Sequence, residues 1–200
     1  MIDKDIYGEV LHVVEKWTQL GERHCANGTK LICPTPHVAP KAYLHLLYAP
    51  LCSESICELE NEFELPLPES FRSLLGHSNG LDLFSGFLSI WGVRISWARV
   101  GDDGWQPYDL IYHNRDLGAP QPECAPPVVY FGSSANGENW CFFEQLGQTY
   151  RVGETPRHEF APIRYWPNFE TWFREKVAEI EVLFDEEGRQ IAPIGMTSIN

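Results

Sequence analysis

The sequence predicts an α+β domain, and three observations carry that expectation. Apolar residues recur at a helical period near both ends of the chain, β-rich runs lie between them, and proline and Asn-Gly punctuation separates the two kinds of segment. The chain has 200 residues, of which 44% are hydrophobic and 13% aromatic, enough for one domain with a sizeable core.

Residues 5 to 20 are expected to form a first helix, because Ile6, Val10, Val13, Val14 and Trp17 fall on one face of a 3.6-residue period and Gly21 can end it. Residues 25 to 53 carry few charges and prolines at 34, 36, 40 and 50, which predicts an ordered but irregular connection with one short element around Tyr43 to Tyr48. A short helix is expected over Ser55 to Phe63. In "LPLPESFRSLLGHSNGLDLF", Pro68 suits the first helical position, since its missing N–H would have no partner there. Glu69 suits the positive first turn, and Phe71, Leu74 and Leu75 make an apolar stripe. Asn79-Gly80 would end that helix with left-handed residues.

From Phe87, the alternation of Trp91, Val93, Ile95 and Trp97 with Gly92, Arg94 and Ser96 predicts a strand, with Trp91 and Trp97 both turned into the core. Asp102-Asp103-Gly104 reads as a turn, Leu110 to Leu117 as a short helix, and "VVYFGSSANGENWCFFE" as a hairpin with an expanded turn. "QTYRV" and "EFAPIRYW" add strands. Phe169, Trp172, Phe173, Val177, Ile180, Leu183 and Phe184 line one side of a long closing helix begun by Asn168 and stopped near Gly188.

Charge and composition narrow the function. A formal net charge of −13 argues against non-specific nucleic-acid binding, which needs a Lys/Arg surface to displace counterions. Glutamates cluster at Glu54 to Glu69 and again around Glu179 to Glu187, a surface that solubilises the protein or attracts a cationic partner. No apolar run of about 18 residues is present, so no membrane span is expected. The start "MIDKDIYGEV" lacks the apolar stretch of a secretory signal, which makes the cytoplasm the expected compartment. There Cys25, Cys33, Cys52, Cys57, Cys124 and Cys141 are expected as reduced, buried thiols. Their spacings match no zinc pattern, so neither metal nor cofactor is expected. GxGxxG, P-loop, HExxH and GxSxG motifs are absent, and "GSSANGEN" has no following Lys to make a phosphate cradle.

The order of short motifs is more specific than any one of them. "SICELENEFELPLPESFRSLLGHSNGL" resembles the opening of the SUKH superfamily, through Ile56, Leu59-Glu60, Leu67-Pro68, Phe71 to Leu75 and Asn79-Gly80. "VVYFGSSANGENWCFFE" resembles that family's central hairpin and "NFETWFREKV" its closing helix. One departure is Glu64, where a glycine is common. The resemblance spans residues 55 to 184, leaving 1 to 54 as an N-terminal helix and irregular extension packed on the core and 185 to 200 as a C-terminal tail.

The resemblance implies a single α+β domain with a twisted, mainly antiparallel sheet packed against helices. It also implies a non-catalytic protein-binding role, as in immunity proteins that block a cognate bacterial toxin, often a nuclease. The alternatives are a regulatory or scaffold protein of the same fold and a Cys/His-dependent enzyme. A basic toxin would suit the acidic surface, with no nucleic acid or membrane as partner. Trp105, between an acidic turn and Pro107, is expected at the surface as an aromatic anchor within a rim formed by Asp102, Asp103 and Glu138.

Overall fold

The computed structural model describes residues 6–123 and 128–193; Cys124 and the far end of the expected tail lie outside them. Its centre is one open sheet of nine strands whose spatial order equals their chain order, every pairing being antiparallel. The strands are β1 (Glu22–His24), β2 (Lys30–Pro34), β3 (Tyr43–Leu47), β4 (Leu81–Leu83), β5 (Leu88–Ile90), β6 (Val129–Ser134), β7 (Asn139–Leu146), β8 (Thr149–Pro156) and β9 (Arg164–Trp166). The helices are α1 (Ile6–Thr18), α2 (Ser53–Phe63), α3 (Glu69–His77), α4 (Leu110–Arg115) and α5 (Phe169–Glu181).

The two terminal helices form for the reason their periodicity suggests. Ile6, Val10, Val14 and Trp17 are the buried stripe of α1, and Phe169, Trp172, Phe173, Val177 and Ile180 that of α5. Asn168 caps α5, its side-chain oxygen accepting from the Thr171 N–H at 2.8 Å. The helices are clamped together by Arg174, which donates to the Glu9 carboxylate, and by Lys16, which meets Glu181 at 2.5 Å. Trp17 adds an indole hydrogen bond to the Asp185 main-chain oxygen at 3.1 Å.

The aromatic core lies between the sheet and these helices. Phe131 of β6 stacks on Phe143 of β7 at 4.2 Å and meets the edge of Trp172 at 4.9 Å, while Phe71 of α3 packs against Phe131, Phe143 and Phe169. On the opposite face α4 covers Tyr130, Trp140 and Trp91; Asn114 Nδ2 donates to the Tyr130 carbonyl and Asn114 Oδ1 accepts from the Tyr130 N–H. The middle of the sheet is therefore buried on both sides.

Three expectations need correction. The stretch read as irregular contains β2 besides the short element expected around Tyr43, which is β3, and β1 lies just before it. Cys33 in β2 takes a φ of 57°, which breaks the two-residue period that would have shown the strand. The strand expected from Phe87 to Trp97 ends at Ile90, and Trp97 is 68% exposed and Ile95 70%. Beyond it the Gly92 main chain is taken by Tyr108 and Leu110, so no strand is left to pair with residues 93 to 97. Lastly, Cys52 and Cys57 are exposed, because Ile56 and Leu59 occupy the buried side of α2; Cys25, Cys33 and Cys141 are buried.

Glu64, the departure noted in the sequence, ends α2 in the left-handed region at φ 53°, ψ 28°, its N–H satisfied by the Asn61 carbonyl. A side chain with a Cβ is strained there and glycine is not. Glu64→Gly is expected to raise stability by up to about 1 kcal/mol, read as a higher urea midpoint at unchanged slope. A lower midpoint would show that Glu64 makes compensating contacts.

Among the described residues, no helix is long and apolar enough to cross a membrane, and no group of three or more His, Cys, Asp or Glu is placed to hold a metal ion.

Candidate partner-binding face

The segment that leaves the sheet after β5 forms a loop over residues 93–108, held at both ends. At its neck, Gly92 N donates to the Tyr108 carbonyl at 3.0 Å and the Leu110 N–H donates back to the Gly92 carbonyl at 2.8 Å. Asn79 closes the same neck by accepting from the Val93 N–H and donating to the Val93 carbonyl, both at 2.6 Å. Asn79 thus acts as a clamp through its side chain; only Gly80 of the expected left-handed pair has a positive φ. A Cβ on Gly92 would lie 2.3 Å from the Asn79 carbonyl oxygen, so the neck requires glycine.

The far end of the loop is pinned to the turn between β1 and β2. The Asp102 carboxylate accepts from the Arg23 guanidinium and from the Ala26 N–H at 2.6 Å. Asn27 Nδ2 donates to the main-chain oxygens of Asp102 and Trp105, at 2.8 and 3.0 Å. Between these anchors Ile95, Trp97 and Val100 point outward, Val100 being 82% exposed. The Arg94 guanidinium lies 4.7 Å from the Trp97 ring centre, an exposed cation–π pair.

Two concavities flank this loop. The first, about 480 Å³, lies beside β1 to β3; prolines 34, 36 and 40 with Tyr43 and Trp105 form its apolar wall, and its charged lining is Arg23, Lys41 and Arg99. Trp105 meets Tyr43 edge to face at 6.0 Å. The second, about 210 Å³, opens between the loop, α4 and the β6–β7 turn, and contains Ser89, Trp91, Tyr108, His113, Trp140 and Arg157. His113 lies 4.3 Å from Trp91, and burial lowers its pKa against the opposing pull of Asp109, so it is neutral at pH 7. Beneath the loop, Tyr48 donates to Asp82 at 2.6 Å; burial raises the Asp82 pKa, and the hydroxyls of Ser89 and Tyr48 offset part of that rise.

The four residues singled out in the sequence do not form one cluster. Asp102, Asp103 and Trp105 share one tight turn, whereas Glu138 lies in the β6–β7 turn, its main-chain oxygen accepting from the Arg157 N–H at 3.0 Å. Trp105 packs on β3, and β7 is four strands away in the sheet order, about 19 Å at ordinary strand spacing. Asp103 and Glu138 are exposed, Trp105 is half-buried, and the Asp102 carboxylate is occupied by Arg23 and Ala26. The residues that sequence reasoning missed are Ile95, Trp97, Val100, Lys41 and Arg99. The one local hint was that Arg94 and Arg99 bracket Trp97, an unusual setting for an inward-facing core strand.

The sequence pattern of the SMI1 / KNR4 family (SUKH-1) matches residues 50–175 of this chain. No curated protein matches it. The matched stretch includes the loop over 93–108 and the second concavity; α1 and β1 to β3, which form one side of the first concavity, precede it.

Proposed function

The chain belongs to the SMI1/KNR4 (SUKH-1) family, and from that premise we propose that it is a non-catalytic binding protein that neutralises a cognate bacterial toxin by stoichiometric occlusion, using the face built around residues 93–108. Family membership supports the class of function, since many members are toxin immunity proteins. The observation that carries the choice of face is the exposure of Ile95, Trp97 and Val100, at 70, 68 and 82%, on a loop pinned at both ends. Exposed apolar residues grouped on a stiff segment suit an interface, because little conformational entropy is lost on docking.

The net charge of −13 suits a basic toxin, such as a nuclease that is cationic where it holds nucleic acid. In this reading Asp103 and Glu138 act at long range in steering, Asp102 holds the loop in place, and Trp105 supplies apolar contact. The test is a kinetic binding assay against the toxin encoded in the adjacent reading frame. Trp97→Ala is expected to speed dissociation by at least about tenfold, whereas Asp103→Lys with Glu138→Lys slows association and flattens its salt dependence. A toxin that binds with unchanged rates in every variant docks on another face, and one that does not bind removes the immunity reading.

A further inference from the structure

We infer that the concavity between β1–β3 and the loop is a docking site for an acidic segment of a partner polypeptide that also carries an apolar side chain. Its lining contradicts the charge of the rest of the molecule. In a chain of net charge −13, the residues facing this space include Arg23, Lys41 and Arg99 and no carboxylate. Arg23 is neutralised by Asp102, but Lys41 and Arg99 meet no carboxylate within ion-pair distance among the described residues. Other cations are paired, Arg115 with Glu62, Arg151 with Glu144, Arg164 with Glu175 and Glu179, and Lys176 with Glu154, while Lys30, Arg94, Arg157 and Arg189 also lack an ion pair among the described residues. Lys41 and Arg99 differ in facing one concavity together, with no carboxylate in its lining.

The wall between the cations sets the second requirement. Prolines 34, 36 and 40, Tyr43 and Trp105 give a rigid apolar surface that loses little side-chain freedom when covered. The space of about 480 Å³ takes one large side chain with its flanking backbone. A carboxylate on either side of that side chain would reach Arg99, whose planar guanidinium binds carboxylates in two-point fashion, and Lys41. A single-stranded nucleic acid also offers anions and rings, but the negative field of the whole chain opposes a polyanion far more than a short acidic peptide. The partner's field and its docking segment therefore differ in sign: a basic body is attracted at long range and an acidic segment locks at contact.

As a statement about the natural occupant this rests on the binding role proposed above, but the site can be tested on the isolated protein. An isotope-labelled sample is titrated with the blocked peptide Asp-Glu-Leu-Trp-Glu-Asp, its Lys-for-acid counterpart, its Asn/Gln counterpart and an oligothymidylate. The acidic peptide is expected to move the resonances of Arg99, Val100 and the Trp105 indole, and to bind at least about tenfold tighter than the other probes. The double variant Lys41→Glu, Arg99→Glu should lose at least about tenfold in peptide affinity at unchanged melting temperature. Equal or tighter binding of the Lys peptide or the oligonucleotide, or shifts confined to another face, would overturn the assignment. With the toxin, a double variant that binds normally while Trp97→Ala fails would refute the pocket and retain the immunity reading. Peptide binding at the pocket in the absence of any toxin complex would do the reverse.

Discussion

Replacing Lys176 by Met should destabilise the protein by about 3–5 kcal/mol, the range for removing one partner of a buried ion pair. The Lys176 ammonium lies 2.8 Å from the Glu154 carboxylate, and their side chains are 12% and 3% exposed. Glu154 also accepts from Ser134 Oγ and, at 3.2 Å, from Asn139 Nδ2, so β6, β7, β8 and α5 are tied at one carboxylate. Burial alone would pull the Lys176 pKa down, but the adjacent Glu154 outweighs it and the net shift is upward. Without the ammonium, Glu154 is left as an uncompensated buried charge. The expected reading is a fall of about 6–20 °C in Tm for a chain of this size. The double variant Lys176→Met, Glu154→Gln should recover at least half of the loss, since it removes the stranded charge. A single-variant loss below about 1 kcal/mol would mean that water reaches the pair.

A second large effect should appear on acidification. His45 is fully buried between Trp17 and Phe84, with ring centres 4.9 and 5.0 Å away, and its Nε2 has no hydrogen-bond partner. Burial, aided by the positive charge of Lys16, lowers its pKa to about 3. The unfolded chain takes up this proton near pH 6.5, whereas the folded one takes it up only near 3. Between those values the unfolded state binds more protons, so the stabilising contribution is whole above pH 6.5 and is lost as pH falls, by about 1.4 kcal/mol per unit. Asp82 works in the opposite sense, since its raised carboxyl pKa favours the folded state on protonation. The measurement is therefore a difference between two urea-unfolding series. At pH 4.5 wild type should have lost about 3 kcal/mol that a His45→Leu variant retains, each compared with its own value at pH 7. Parallel profiles would show that His45 titrates normally in the fold.

How far the sequence could be read depends on where each signal is stored. The helices at either end were legible because α1 and α5 repeat an apolar stripe over three turns, and in α5 the Asn168 cap marks the start as well. Yet α5 ends at Glu181, short of the expected stop near Gly188, with Leu183 and Phe184 beyond it. The β6–β7 hairpin was legible from its own composition. By contrast, β1 is exposed along its whole length and has no alternation to display, and β2 bends at Cys33. Trp97 misled for a related reason: alternation describes a strand only if a neighbour is there to pair with it, and the neighbours of β5 stop at Ile90. The candidate face was least visible of all. Arg23 and Asp102 are 79 residues apart, and nothing local to either announces that one is spent on the other while Arg99 is spared. Net charge is a sum over the chain, and it concealed a small region of opposite sign.

The chain-order arrangement of the nine strands also bears on how the molecule is made. Every strand is hydrogen-bonded to the strand before or after it, so the sheet can lengthen from one side as synthesis proceeds, with few distant pairings to await. The first helix is the exception. Its partners Arg174, Glu181 and Asp185 lie 165 to 168 residues downstream, and they supply both the ion pairs of its polar side and the acceptor for Trp17. While the ribosome is still translating the sheet, α1 can rest on β2, α3 and Phe84, but Glu9, Lys16 and the Trp17 indole still lack these polar partners. Helix α1 thus gains these polar partners only once α5 and the segment after it have formed, which makes that long circuit one of the latest contacts of the fold to close.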